Sequence, residues 1–152
     1  MMNKNEEIWT KLAQHREIWI QLTELAKDEH IHFKPWEGAM SLGELVVHIA
    51  TSMDMFLNLV TTGTFALPAK PEFADMGDVR RILGEYTAKS KAEILSLTPE
   101  QLTGLVEFNR KKVTGESLLQ LCKDHEVHHK GQMFIYLRMV GVEKLPFFIQ
   151  PE

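Results

Sequence analysis

The chain has 152 residues, 44% of them hydrophobic and 25% charged, with six prolines and one cysteine. That composition suits one globular domain over residues 1–152, large enough to bury a real core. A net charge of -4 leaves no basic footprint for a nucleic-acid partner, and one cysteine cannot form an internal disulfide.

The opening MMNKNEEIWTKL lacks the continuous apolar stretch of a signal peptide, and no run reaches the ~20 apolar residues that cross a bilayer. A cytoplasmic protein without a membrane partner is expected. The first helix is predicted over about residues 4–29, with Ile8, Leu12, Trp19, Leu22 and Leu25–Ala26 as its apolar stripe. It must stop before HIHFKPWEG, where Pro35 disfavours helix at Lys34. The second starts at Ser41, whose S-x-x-E spacing to Glu44 is a capping box, and runs to about Val60. Its apolar run through Leu42, Leu45, Val46, Ile49, Met53, Phe56 and Leu57 places it deep in the fold.

Residues 61–76, with a glycine and two prolines, read as a long surface connection of the kind that often carries function. A third helix is predicted over about 77–97, with Val79, Ile82, Leu83, Tyr86, Ile94 and Leu95 inward. Thr98-Pro99 reads as a fresh N-cap with proline at the first helical position. Residues 104–113 alternate enough for a small extended excursion, and Arg110-Lys111-Lys112 reads as a solvated loop. The last helix starts near Thr114 and runs to about Val140, with Gly141 placed to end it and Pro146 shortly beyond. Four helices of this length without a convincing set of strands predict an all-α four-helix bundle.

Chemistry concentrates in the last helix, in the run HEVHHKGQ. At about 100° per residue, Leu118, Cys122, His129, Gln132 and Tyr136 fall within about 60° of His125. The middle of that stripe is polar, where a core-facing helix is normally apolar. Residues four apart on a helix share a face, so His125 and His129 can offer two imidazoles to one ion. His128 falls on the other side of His125 and centres the stripe less well. His48, among Leu45, Ile49 and Phe56, can supply a third ligand from the second helix. Three imidazoles leave an open coordination position, where water or a substrate atom binds and is activated. Neutral imidazoles suit Zn²⁺, Ni²⁺, Fe²⁺ and Cu²⁺ alike.

The neighbouring residues have plainer readings. Cys122 reads as a buried inert thiol, and Glu44 is explained by its cap. Gln132 either orients a ligand or sits as a buried amide bonded to another helix. Trp9, Trp19, Met133 and Tyr136 read as core, and His15, His30 and His32 as surface or loop histidines. His125-Glu126-Val127-His128-His129 also spells H-E-x-x-H, in which the glutamate is the general base of a zinc protease. The longer metzincin form needs glycine where Gln132 stands and histidine where Ile135 stands, so Glu126 reads as accidental.

With those residues in place, the chain resembles the DinB/YfiT-like superfamily of damage-inducible bacterial proteins over nearly its whole length. The resemblance is carried by HEVHHKGQMFIYLRMVG followed by Leu145-Pro146, and by FKPWEGAMSLGELVVHIA. It implies a four-helix bundle of up-down-down-up order and frequent homodimers. It also implies a divalent metal whose identity varies among members, with Zn, Ni, Fe and Mn left undistinguished. Carried residue by residue, the metal triad falls on His48, His125 and His129; Lys130 stands where arginine is commoner. The resemblance further implies metal-dependent S-transferases that join a small-molecule thiol such as bacillithiol or mycothiol to an electrophile. A related member is a maleylpyruvate isomerase. The expected function is therefore a metal-dependent thiol S-transferase; a stress-related metal-binding protein without turnover is the alternative.

Overall fold

A computed structural model describes residues 1–151. The long helices are α1 (Lys4–Leu25), α2 (Leu42–Thr62) and α3 (Met76–Leu95). The short helix α4 (Pro99–Thr103) and the hairpin β1 (Leu105–Phe108) and β2 (Lys111–Thr114) then lead into the fourth long helix, α5 (Gly115–Met139). Every helix opens on a side-chain cap, because the first-turn N–H groups have no partner inside the helix. Asn3, Ser41, Asp75, Thr98 and Thr114 each accept from the backbone N–H three residues on. At Ser41 the box is reciprocal, since Glu44 Oε2 accepts the Ser41 N–H at 2.7 Å.

Cross-helix contacts fix the direction of each helix. Lys4 pairs with Glu116 and Arg16 with Glu126, so α1 and α5 run parallel. The Tyr136 hydroxyl donates to the Met40 carbonyl at 2.8 Å, ahead of α2, whereas Val60 near its other end lies beside Gly115. Helix α2 is therefore antiparallel to α5. Arg80 reaches the Ala26 carbonyl at 2.7 Å and Asn5 the Leu97 carbonyl at 2.8 Å, so α3 is antiparallel to α1. Lys89 on α3 pairs with Asp54 on α2 at 2.7 Å, past the middle of both, and Phe73 ahead of α3 lies against Gly43. The order is up-down-down-up, and the parallel α2–α3 step is what requires the long connection between them.

Helix α1 ends at Leu25, earlier than its apolar pattern suggests, and a single 3-10 turn follows at Asp28–His30. Two tertiary bonds take over from the helical ladder. Arg80 donates to the Thr23 and Ala26 carbonyls, while Asp28 Oδ1 accepts the Met76 N–H at the start of α3. Residues 105–114 form an antiparallel hairpin around Asn109 and Arg110, whose φ values of 51° and 66° make the two-residue turn that matches strand twist. Lys111 and Lys112 thus belong to a strand, although all three basic side chains face solvent as expected. Gly141, at φ 98°, ends α5 in the left-handed conformation.

The core is apolar and formed mainly by α2, most of whose residues are buried. By length and composition α2 is long and apolar enough to cross a membrane, but that surface packs inside the bundle. Of Ile94 and Leu95, both expected inward, Ile94 fills the core and Leu95 is exposed. Trp19 and Met133 are fully buried, as read from the pattern.

Two interior features depart from the sequence reading. Arg16 and Glu126 are buried together, with Arg16 Nε donating to Glu126 Oε2 at 3.1 Å and Nη2 donating to Oε1. Arg16 also donates to Thr87 Oγ1 and the Ile49 carbonyl, and Trp19 Nε1 to the Glu126 carbonyl. Glu126 is thus a structural anion. His15 is the second departure: it is buried, and the Lys130 ammonium donates to its Nδ1 at 2.8 Å and to the Phe148 carbonyl. Burial first, then the Lys130 and Lys123 charges, hold the His15 pKa at about 4. Because that folded value lies below the ordinary 6.5, the unfolded chain takes up a proton between pH 6.5 and about 4 that the folded chain refuses. Stability should therefore fall as pH drops through that window. Urea midpoints measured across it should show a shallower slope for His15→Gln than for the wild type, and an unchanged slope would contradict the assignment.

Candidate metal centre

Helices α2 and α5 run antiparallel side by side, which brings His48 opposite the His125/His129 pair. The ring centroids lie 5.0 Å (His48–His125), 4.8 Å (His48–His129) and 4.5 Å (His125–His129) apart. One nitrogen from each ring lies within 4.8 Å of the others, and His48 Nε2 is 3.1 Å from His125 Nε2. Two nitrogens on one tetrahedral ion at ~2.0–2.1 Å would be ~3.3 Å apart, so this spacing fits a shared cation. All three rings are half-buried. The buried wedge of α5 (Leu118, Leu119, Cys122, Glu126, Met133, Leu137) centres roughly 80° around the helix from His125. The histidines therefore flank the core and open toward solvent on one side.

Their electrostatics favour metal-binding lone pairs. Burial lowers the His125 pKa to about 4, with smaller contributions from the charges of His129, His48 and His128. Burial also lowers His48, and the His129 charge adds to it. His129 is lowered by burial too, although its bond to Gln132 works in the opposite direction. At neutral pH all three imidazoles are uncharged and offer lone pairs, the form that ligates a metal.

Gln132 Oε1 lies 2.7 Å from His129 Nδ1. An N–H at Nδ1 donating to that oxygen leaves Nε2 as the free lone pair, the usual way a neighbouring group orients a metal-binding histidine. Gln132 is exposed, so its alternative reading as a buried amide bonded to another helix is set aside. Gln132→Ala should weaken divalent-metal affinity by about 10–100-fold with little change in the melting of metal-free protein. Calorimetric titration of both proteins checks this, and equal affinities would remove Gln132 from any orienting role.

Other residues of the HEVHHKGQ run face elsewhere. His128 is exposed, 4.7 Å from the His129 ring between centroids. Glu126 points into the α1–α5 interface with both carboxylate oxygens on Arg16, so it cannot act as the base of an H-E-x-x-H site. Cys122 is buried and its thiol is pushed up, mainly by burial, so it is inert. Lys130 is directed at His15 and the C-terminal segment. The Arg16–Glu126 pair was missed in the sequence. Its signal was a charged residue on each apolar stripe, Arg16 between Leu12 and Trp19, and Glu126 between Cys122 and Met133.

Two clefts reach the cluster. One, of about 510 Å³, is lined by His48, Glu44, Val47, Thr51 and the Pro68–Phe73 part of the α2–α3 connection. The other, of about 400 Å³, is lined by His129, Gln132, Ile135 and the Pro35–Met40 loop. Met40 is common to both linings.

Comparison with known proteins agrees with this architecture. The chain is 36% identical over 152 residues to the uncharacterized protein YjoA of Bacillus subtilis, covering 98% of this chain and 99% of the relative. The crystal structure of that DinB-like protein superposes with a TM-score of 0.85, covering 95% of this chain and 99% of that one. A DinB-like protein from Bacillus cereus, 19% identical, gives a TM-score of 0.79 over 93% of this chain and 95% of its own. YfiT from Bacillus subtilis, a four-helix bundle of unusual topology and also 19% identical, gives 0.69 over 94% and 92%. Residues 1–150 match the DinB family model, and the chain belongs to that family.

Proposed function

We propose that His48, His125 and His129 hold one divalent cation, and that the protein is a metal-dependent thiol S-transferase acting on small electrophiles. The observation that carries this reading is the cluster of three uncharged imidazoles, with ring nitrogens within 4.8 Å of one another, at the meeting of two clefts. Three histidines leave a coordination position open, and the donor set suits Zn²⁺, Ni²⁺ or Fe²⁺. A bound cation would supply the positive charge that keeps a thiol ionised at neutral pH. The residues do the rest: the imidazoles fix the position of that charge, Gln132 fixes His129, and the two clefts admit two reactants. In the transfer the thiol S–H proton passes to solvent and an S–C bond forms. At a substituted carbon, the leaving group departs with its bonding pair; at a conjugated ring, the displaced pair moves to the acceptor oxygen, which solvent protonates.

A hydrolase is the second reading, favoured by the description of YfiT as a probable metal-dependent hydrolase. Hydrolysis asks more of the site, because water is far less acidic than a thiol and gains from a nearby carboxylate base. Glu126 is turned away, and Glu44, which lines the His48 cleft, holds the Ser41 N–H with one oxygen. A metal-binding protein without turnover is the remaining alternative. Metal-loaded protein should be assayed with cysteine, glutathione and coenzyme A against chlorodinitrobenzene, and separately for hydrolysis of a nitrophenyl ester without thiol. Thiol-dependent conjugation that falls at least about a hundredfold in His48→Ala and His129→Ala is expected. Rates indifferent to both substitutions, or ester hydrolysis with no thiol reaction, would overturn the S-transfer reading.

A further inference from the structure

We infer that the 400 Å³ cleft beside His129 is the electrophile subsite, and that it takes a flat conjugated ring carrying a hydrogen-bond acceptor, with Trp36 setting the specificity. This rests on the S-transfer reading of the same site. No acidic or basic side chain lines this cleft apart from His129, whereas Glu44 and Lys70 both line the cleft at His48. A charged thiol therefore finds partners on the His48 side, and an uncharged reactant is left the other.

The lining also has a shape. Trp36 is 67% exposed, far more than a tryptophan needed for the core. Its indole lies across Gly38, so close that a Cβ there would run into the ring. The missing Cβ leaves room for the ring against the backbone at Gly38, and most of the indole surface stays open. Ile135, 52% exposed, adds a second apolar side chain. Aromatic faces of this kind favour flat ligands through stacking.

Besides the Trp36 indole, the polar side chains of the lining are His129, Gln132 and Tyr136, whose hydroxyl is engaged by the Met40 carbonyl. Gln132 Oε1 is engaged by His129, which leaves the two amide hydrogens of Nε2 free to donate. A ring placed along Trp36 with a carbonyl or nitro oxygen at its inner end would meet that amide. Its reactive carbon would then lie close to the histidine cluster.

Binding can be read without turnover. Coumarin, a flat ring with a carbonyl, and naphthalene, which lacks one, should be measured by equilibrium dialysis against metal-free wild type, Trp36→Leu and Gln132→Leu. Saturable coumarin binding is expected, weakened about tenfold or more in Trp36→Leu. Gln132→Leu should bring coumarin down to the level of naphthalene and leave naphthalene unchanged. Ile135→Trp, at an exposed position, should fill the cleft and block both, and melting curves check that each variant is folded. Coumarin binding equal in wild type, Trp36→Leu and Ile135→Trp would overturn the subsite. So would conjugation of aryl electrophiles that proceeds unchanged in Trp36→Leu, although that result would leave S-transfer standing. Coumarin binding that follows Trp36 with no thiol conjugation for any electrophile would instead sink the S-transfer reading and the electrophile role, and leave the cleft as a flat-ring site.

Discussion

His125→Ala should abolish tight divalent-metal binding, with affinity falling on the order of a hundredfold or more as three ligands become two. His125 Nε2 lies 3.1 Å from His48 Nε2, and the His125 ring packs 4.5 Å from His129 between centroids. Its loss therefore breaks both neighbouring spacings at once. The effect should also appear in stability. A ligand at 100 times its Kd stabilises the folded state by ~2.7 kcal/mol, which for a chain of this size raises Tm by roughly 5–10 °C. Wild-type protein should show that rise on adding metal, and His125→Ala should melt at one temperature with or without it. His128→Ala should retain the full rise, because its ring faces solvent. Equal metal-dependent shifts in wild type and His125→Ala would remove His125 from the site.

Glu126→Ala should cost about 3–5 kcal/mol, the usual penalty for stripping one partner from a buried ion pair. Side-chain exposures of 0% for Arg16 and 1% for Glu126 leave water no access to the orphaned guanidinium. Two of its bonds, to Thr87 and Ile49, would remain, but neither carries charge to offset it. The fall in Tm should be about 6–20 °C. Arg16→Met combined with Glu126→Leu should recover most of the loss, since an apolar pair of similar volume avoids burying a charge. A urea titration of the two single variants and the double variant measures the coupling directly. A loss under about 1 kcal/mol for Glu126→Ala would show that the pair is not the buried anchor described here.

The bundle was legible because its signals are local. Apolar periodicity, the Ser41/Glu44 box, Thr98-Pro99 and Gly141 each act within a few residues of the boundary they set. The end of α1 was not legible, since Arg80 and Met76 decide it from more than fifty and forty residues away in sequence. The histidines were legible for a related reason: His125 and His129 share a helix face by spacing alone, and His48 stood out as polar on an apolar helix. Their setting was read less well. Leu118 and Tyr136 at the ends of the stripe point it inward, but the core of α5 is rotated from it toward Glu126 and Lys130. Those two residues looked accidental or merely basic until their partners Arg16 and His15, 110 and 115 positions away, came into place. Long-range pairing of buried charges leaves only a weak trace in a single sequence, a charged residue where the stripe calls for an apolar one.

The account turns on whether His48, His125 and His129 share one metal ion. Elemental analysis of untagged protein, combined with X-ray absorption at the edge of the metal found, tests this most directly. One divalent ion per chain, with three imidazole nitrogens in its first shell that drop to two in His48→Ala, is the predicted result. Sub-stoichiometric metal, or a coordination shell unchanged by His48→Ala, would contradict it.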